Sequence, residues 1–221
     1  MRRFVRDNSL SITLCGLFLV FLLLQSITGW RTSNQDNQEH RQPTQSYGSY
    51  LTSAHFVEAT AENWESEFLQ MASYVVLTAL LIQRGSPESK DPDAEEPVDE
   101  DPRRARERGD APGPVRRGGL ALVLYQHSLS LVLVALFLVS FALHALGGHD
   151  EYNQQQLEHG EAPISLIGFM TSAQFWFQSF QNWQSEFLAV FVVAVLGIFL
   201  RQRGSPESKP VAAPHAKTGS S

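Results

Sequence analysis

Two uninterrupted apolar runs dominate the pattern of this chain. Leu10 to Gly29 and Leu120 to Gly148 contain no charged residue, and about 20 such residues suffice to carry a helix across a hydrocarbon core roughly 30 Å thick. Two shorter apolar runs follow them, Phe68 to Gln83 and Phe187 to Leu200. At 1.5 Å per residue the shorter runs reach only about 24 Å. A full crossing therefore requires each helix to begin further back, at Asn63-Trp64 and Asn182-Trp183, or the bilayer to thin locally. The first is expected, and the preceding stretch and the second span can form one long, bent helix. The pattern predicts spans over about 9–30, 64–83, 120–147 and 183–201.

The second half restates the first. Asn63-Trp64-Glu65-Ser66-Glu67-Phe68-Leu69 returns as Asn182-Trp183-Gln184-Ser185-Glu186-Phe187-Leu188, and Gln83 to Lys90 returns as Gln202 to Lys209. From Asn8/His127 to Lys90/Lys209 the copies align without a gap, with roughly two-fifths of positions identical. The organisation expected is a first hairpin repeat over 1–90, a linker over 91–118, a second repeat over 119–209 and a tail over 210–221. Two spans per repeat make the copies parallel, unlike the inverted repeats of many transporters.

Between the spans of each repeat lies a polar loop, Arg31 to Ser46 and Asp150 to Ser165, then a mixed stretch. In the second copy Leu166, Phe169, Met170, Ala173, Trp176, Phe177, Phe180 and Trp183 fall at three- and four-residue steps. That helical period with an aromatic face predicts an amphipathic segment at the interface. Thr171, with Gln174 three residues on, is a candidate cap. The first copy keeps the face through Tyr47, Tyr50, Ala54, Val57, Ala61 and Trp64, with Glu58 where the second has Phe177. Gly85 and Gly204, followed by Pro87 and Pro206, read as helix stops. The fold class expected is thus an all-α membrane protein of four transmembrane helices.

Charge supplies the orientation. Of the basic residues, only Arg31 and Arg41 fall on the loop side, whereas Arg2, Arg3, Arg6, those from Arg84 to Arg117, and Arg201, Arg203, Lys209 and Lys217 fall on the other. The basic excess marks the cytoplasmic face. Both termini and the linker are expected there, with both Asn-Trp motifs outside. Arg2, Arg3 and Arg6 ahead of an apolar run raise the question of a leader. The run is long for one, and its internal copy at Ser128-Leu129-Ser130 argues for a retained helix. The linker is acidic first (Asp91, Asp93, Glu95, Glu96, Asp99, Glu100, Asp101), then rich in arginine, and it predicts a solvated, disordered tether. The tail reads the same way. The net charge of −6 offers no basic stripe, and no nucleic-acid partner is expected.

Candidate chemistry is sparse. Cys15 alone forms no internal disulfide and no metal site. His40, His55, His144, His149 and His159 map near the outer face, yet without an i, i+4 pair or a cysteine set they predict no metal. His144 aligns with Gln25 and reads as a polar helix contact. Thr52-Ser53 and Thr171-Ser172 have no His/Asp partner and read as caps. There is no phosphate loop or nucleophile elbow, so neither an enzyme nor a cofactor is expected. The strongest polar candidates are Asn63, Trp64, Glu67, Asn182, Trp183 and Glu186, an outward-facing group. One reading makes them caps, interfacial anchors and acids at helix N-termini. The other makes Glu67 and Glu186 a cation or proton site.

These words together carry a resemblance. The Arg-rich start, the Gly29-Trp30 close, Glu39-His40, Glu158-His159-Gly160, Leu51-Thr52-Ser53 before His55-Phe56, both Asn-Trp motifs and Gln-Arg-Gly-Ser resemble a family of small bacterial membrane proteins known as a domain of unknown function. The resemblance covers nearly everything outside the linker and tail, and it implies no activity. Function classes that remain are a structural or partner- or lipid-binding membrane protein, a small transporter or channel, and an enzyme acting on lipids or quinones, which has the least support. The bilayer is the expected partner, with a second copy or another membrane protein beside it.

Overall fold

A computed structural model describes residues 2–94 and 96–219. Glu95, read above among the linker acids, lies outside them. Every regular element among the described residues is helical, in chain order α1 (Arg2–Asp7), α2 (Ser9–Glu39), α3 (Tyr47–Tyr50), α4 (Ala54–Leu80), α5 (Gly113–Arg117), α6 (Gly119–Gln126), α7 (Ser128–Glu158), α8 (Leu166–Met170) and α9 (Ala173–Leu196). Two helices, α2 and α7, are long and apolar enough to cross a membrane. Only 6% and 17% of their apolar windows are buried. Of the four expected spans, these two meet that measure. Helices α4 and α9 are long enough by rise, about 40 and 36 Å, but α4 carries Glu58, Glu62, Glu65 and Glu67, and α9 opens with a glutamine-rich half.

The polar loops are shorter than the sequence predicts. Helix α2 runs past Trp30 to Glu39, and α7 runs to Glu158. Their polar ends are held from outside the helix. Asn34 donates through Nδ2 to the Gln45 carbonyl (3.0 Å) and accepts from the Gln45 amide (2.7 Å). Asn153 clamps Ile164 with the same two bonds, at 3.0 and 2.8 Å. The Trp30 indole also donates to the Gln45 carbonyl (2.8 Å). His149, at the position aligned with Trp30, puts Nε2 2.9 Å from the Ile164 carbonyl.

The interfacial segment is divided. A single turn, α3 or α8, is capped by Ser46 or Ser165, whose side chains accept from Ser49 and Gly168. A short break follows, and then one helix continues through the Asn-Trp motif. Thr171 does not cap that helix. Its hydroxyl donates back to Ile167 and Gly168, and Ser172 accepts from the Phe175 amide instead (3.3 Å). Thr52 and Ser53 divide the work in the same way.

The described chain forms two compact units. The first, Met1–Ala61 with Leu143–Phe175, is packed around Tyr50, Phe169, Phe175 and His144, all fully buried. Gly29 and Gly148 let Tyr50 and Phe169 approach their helices: a Cβ at Gly148 would lie 2.9 Å from the Phe169 ring, and one at Gly29 would overlap the Tyr50 hydroxyl.

The second unit is Glu62–Ala142 with Trp176–Ser221. Its helices end at Leu80 and Leu196, a few residues before the expected stops. Gly85 (φ +86°) and Gly204 (φ +85°) sit instead at the third position of tight turns, Gln83–Ser86 and Gln202–Ser205, where a left-handed residue is required. Serines then close each turn into a small loop. Ser89 and Ser208 accept from the Gln83 and Gln202 amides (3.0 and 2.9 Å), and Ser86 and Ser205 accept from Glu88 and Glu207 (both 3.2 Å).

The stretch read as a tether holds 3₁₀ turns at Pro97–Asp99 and Pro102–Ala105 and the short α5. Ala111 and Val115 pack on Leu122 of α6. The tail is also placed. Lys209, only 1% exposed, donates to the carbonyls of Gly85, His215 and Lys217 at 2.5, 2.9 and 2.9 Å. The Gly85 amide donates to Thr218 (2.9 Å), and the Gly219 amide to Ser86 (3.0 Å). Burial first, and then nearby Arg201, hold the Lys209 amine below its ordinary range.

Candidate functional site

The Asn-Trp motifs lie well inside α4 and α9, which begin at Ala54 and Ala173. Asn63 and Asn182 are therefore not caps. Glu67 and Glu186 are more than ten residues from their helix N-termini, and a macrodipole acts only over the first turn. The reading of these residues as caps and dipole partners is corrected.

The two motifs also differ from each other. Asn63, Trp64 and Glu67 are exposed, while Asn182, Trp183 and Glu186 are half-buried. The Trp183 indole donates to Glu65 Oε1 at 2.8 Å, and Asn182 donates from Nδ2 to the Glu62 carboxylate. Glu65 is fully buried. A buried carboxylate needs such donors, because removing it from water without them costs several kcal/mol. Edge-on aromatic contacts fix the indole: Trp176, Phe180 and Phe137 lie 6.2, 5.5 and 6.3 Å from it, ring centre to ring centre. What the motifs share is local. Ser66 and Ser185 each donate to the carbonyl of the motif asparagine at 2.8 Å. Glu67 and Glu186 do come within electrostatic reach of one another.

Sequence reasoning missed Glu62 and Glu65. The signal was present: Glu58, Glu62 and Glu65 stand at i, i+4 and i+7 on one helix face, where the second copy has Phe177, Gln181 and Gln184.

In the first unit His144 is fully buried, stacked on Phe175 at 4.9 Å. The Glu-His pairs end α2 and α7. His40 Nδ1 lies 2.9 Å from the Asp36 carbonyl and His159 Nδ1 2.7 Å from that of Gln155, the same i−4 bond in both. His55 Nδ1 faces the Tyr50 hydroxyl at 3.1 Å. Burial, and secondarily the Glu151 charge, push the Tyr50 phenol above its ordinary range. Among the described residues no three His, Cys, Asp or Glu side chains converge as a metal site.

The family model described as "Domain of unknown function (DUF6766)" matches residues 1–220. No curated protein and no solved structure matches the chain.

Proposed function

Since the chain belongs to the family of unknown function DUF6766, its role has to be read from its own residues, and we propose a non-enzymatic, polytopic protein of the bacterial cytoplasmic membrane. In this reading α4 and α9 join α2 and α7 as spans, in two parallel hairpin repeats. Both termini and the 91–118 segment are cytoplasmic. The protein serves as a structural, partner-binding or lipid-binding element, alone or as a homo-oligomer.

The observation that carries the reading is how Asn182 and Trp183 are used. Their polar hydrogens go to Glu62 and Glu65, so the motif ties helices together and does not present donors to a substrate. Exposed apolar side chains along α2, such as Leu14, Leu17, Phe21 and Leu24, support a bilayer as their surroundings, since water would leave an aggregation-prone patch. The test is topological. Reporters active only in the periplasm, fused after Ser46, Ser89 and Ser165 and at the C-terminus, should signal from Ser46 and Ser165 alone. A periplasmic signal at Ser89 or at the C-terminus would sink the four-span reading.

A second reading, a small cation transporter or channel, is favoured by the mutual reach of Glu67 and Glu186. Its measurement is cation or proton flux in vesicles holding the wild type and Glu67→Gln/Glu186→Gln. Flux in the wild type that the double variant abolishes would establish it. Flux absent from the wild type leaves the structural reading.

A further inference from the structure

We propose that the cavity between the ends of α2 and α7 in the first unit is a binding site for a linear organic polycation of the polyamine class. The site does not depend on the number of spans. The histidine of the first Glu-His pair and both members of the second, far apart in the chain, meet here: His40, Glu158 and His159 line one cavity of about 410 Å³ with Asp36, His55 and Glu151.

Four properties point to the ligand. No lysine or arginine lines the cavity. Both long helices end at it, at Glu39 and Glu158, so two negative macrodipole ends face the same space. His40 and His159 share one pose. Each ring directs Nδ1 to the i−4 carbonyl and leaves Nε2 for another partner. Around them Asn37, Gln42, Gln45, Gln154 and Gln155 add side-chain amides, three of which donate to the acids: Gln42 and Gln154 to Glu158, and Gln155 to Glu151. The lining is therefore free of fixed positive charge, and its acids are oriented by neutral donors.

Its acids are dispersed. They do not gather into a three-ligand cluster among the described residues, which disfavours a single small ion with its fixed coordination distances. Asp36 lies on α2, and Glu151 and Glu158 lie two turns apart on α7. A chain of ammonium groups separated by methylenes can meet such spaced carboxylates one at a time, each through charge-assisted bonds. Gln42, which donates to Glu158 at 2.8 Å, holds the place that an ammonium would take.

The test uses the full chain in nanodiscs of phosphatidylcholine, which has no net charge to compete, at fixed ionic strength. Spermidine is titrated calorimetrically into the wild type, Glu151→Gln/Glu158→Gln and Glu67→Gln. One saturable site is expected in the wild type, weakened about tenfold or more in the double variant and unchanged in Glu67→Gln. Absence of saturable binding overturns the proposal, as does equal binding in the double variant. Zn²⁺ displacing spermidine at equal stoichiometry would overturn it in favour of a metal. If the double variant fails to fold, Asp36→Asn, at an exposed position, decides by the same criterion. Because Glu67 lies outside the cavity, loss of binding there alone would implicate the transport reading instead.

Discussion

Trp183 donates its indole hydrogen to the buried carboxylate of Glu65 at 2.8 Å, joining α9 to α4 inside the second unit. The bond unites positions that do not correspond in the two copies, since the residue aligned with Glu65 is Gln184 and the one aligned with Trp183 is Trp64. One copy supplies the acid and the other the donor. The two matching stretches thus contribute complementary groups to one contact.

Trp183→Phe keeps the aromatic contacts and removes this donor. The expected cost is about 1–3 kcal/mol, the range for leaving a buried hydrogen-bonding group without its partner, read as a lower unfolding midpoint in detergent. An unchanged midpoint would mean that the indole acts as an interfacial anchor and that the Glu65 bond adds nothing.

Glycine positions give an independent check on the first unit. Gly29→Ala and Gly148→Ala would drive a methyl group into the buried rings of Tyr50 and Phe169, an overpacking expected to cost about 1–3 kcal/mol. Gly16→Ala meets nothing within 4 Å and should be neutral or slightly stabilising, because alanine favours helix over glycine by roughly 0.5–1 kcal/mol. Thermal unfolding of the three variants decides it. A Gly16→Ala defect matching the other two would place an unseen partner against α2.

Much of the helical pattern was legible because apolar period and length act locally. The long run at Leu10 fixes α2, and the aromatic steps from Leu166 to Trp183 announce a helix. The ends were less legible, because polar residues such as Thr32 to Glu39 carry no periodic signal. Contacts distant in sequence hold them, among them the two bonds between Asn34 and Gln45, eleven residues away. The Gln-Arg-Gly-Ser-Pro-Glu-Ser words repeat beyond the glycine and proline that a helix stop needs. Their serines close the turn by bonding amides two and six residues away, and that requirement fixes their spacing. In the candidate site, the pairing of Glu62 and Glu65 with Asn182 and Trp183 depends on helix packing between residues more than a hundred positions apart. No local pattern encodes it.

The tail yields a prediction from Lys209. Its ammonium gathers carbonyls of Gly85, His215 and Lys217, so Lys209→Met removes the group on which the last residues close. Hydrogen exchange at the Gly219 amide, bonded to Ser86 in the wild type, should accelerate by about tenfold or more, equivalent to roughly 1.4 kcal/mol of local stability. Lys90→Met, at the aligned position, breaks only a pair with Asp99 and should leave Gly219 unchanged. Fast exchange at Gly219 in the wild type would show that the tail is not held.

Tyr50 gives the first unit an alkaline limit. Its hydroxyl is buried against His55, and burial, followed by the Glu151 charge, raises its pKa above the ordinary value of 10.0. The folded state therefore keeps the phenol proton to a higher pH than the unfolded chain does. Between the two pKa values the folded state binds more protons, so stability falls as pH rises. The contribution is complete below pH 10.0 and is lost as pH climbs through the folded value. Tyr50→Phe, which places at this position the residue that the second copy carries as Phe169, removes the titration together with the His55 bond. The variant should be less stable than the wild type at neutral pH, by about 0.5–1.5 kcal/mol for one hydrogen bond. The gap should narrow above pH 10, where the wild type alone loses this contribution. Unfolding midpoints of the two proteins across pH 7 to 11 provide the measurement. Parallel curves over that range would mean that Tyr50 ionises as freely folded as unfolded, and that its burial against His55 has no electrostatic consequence.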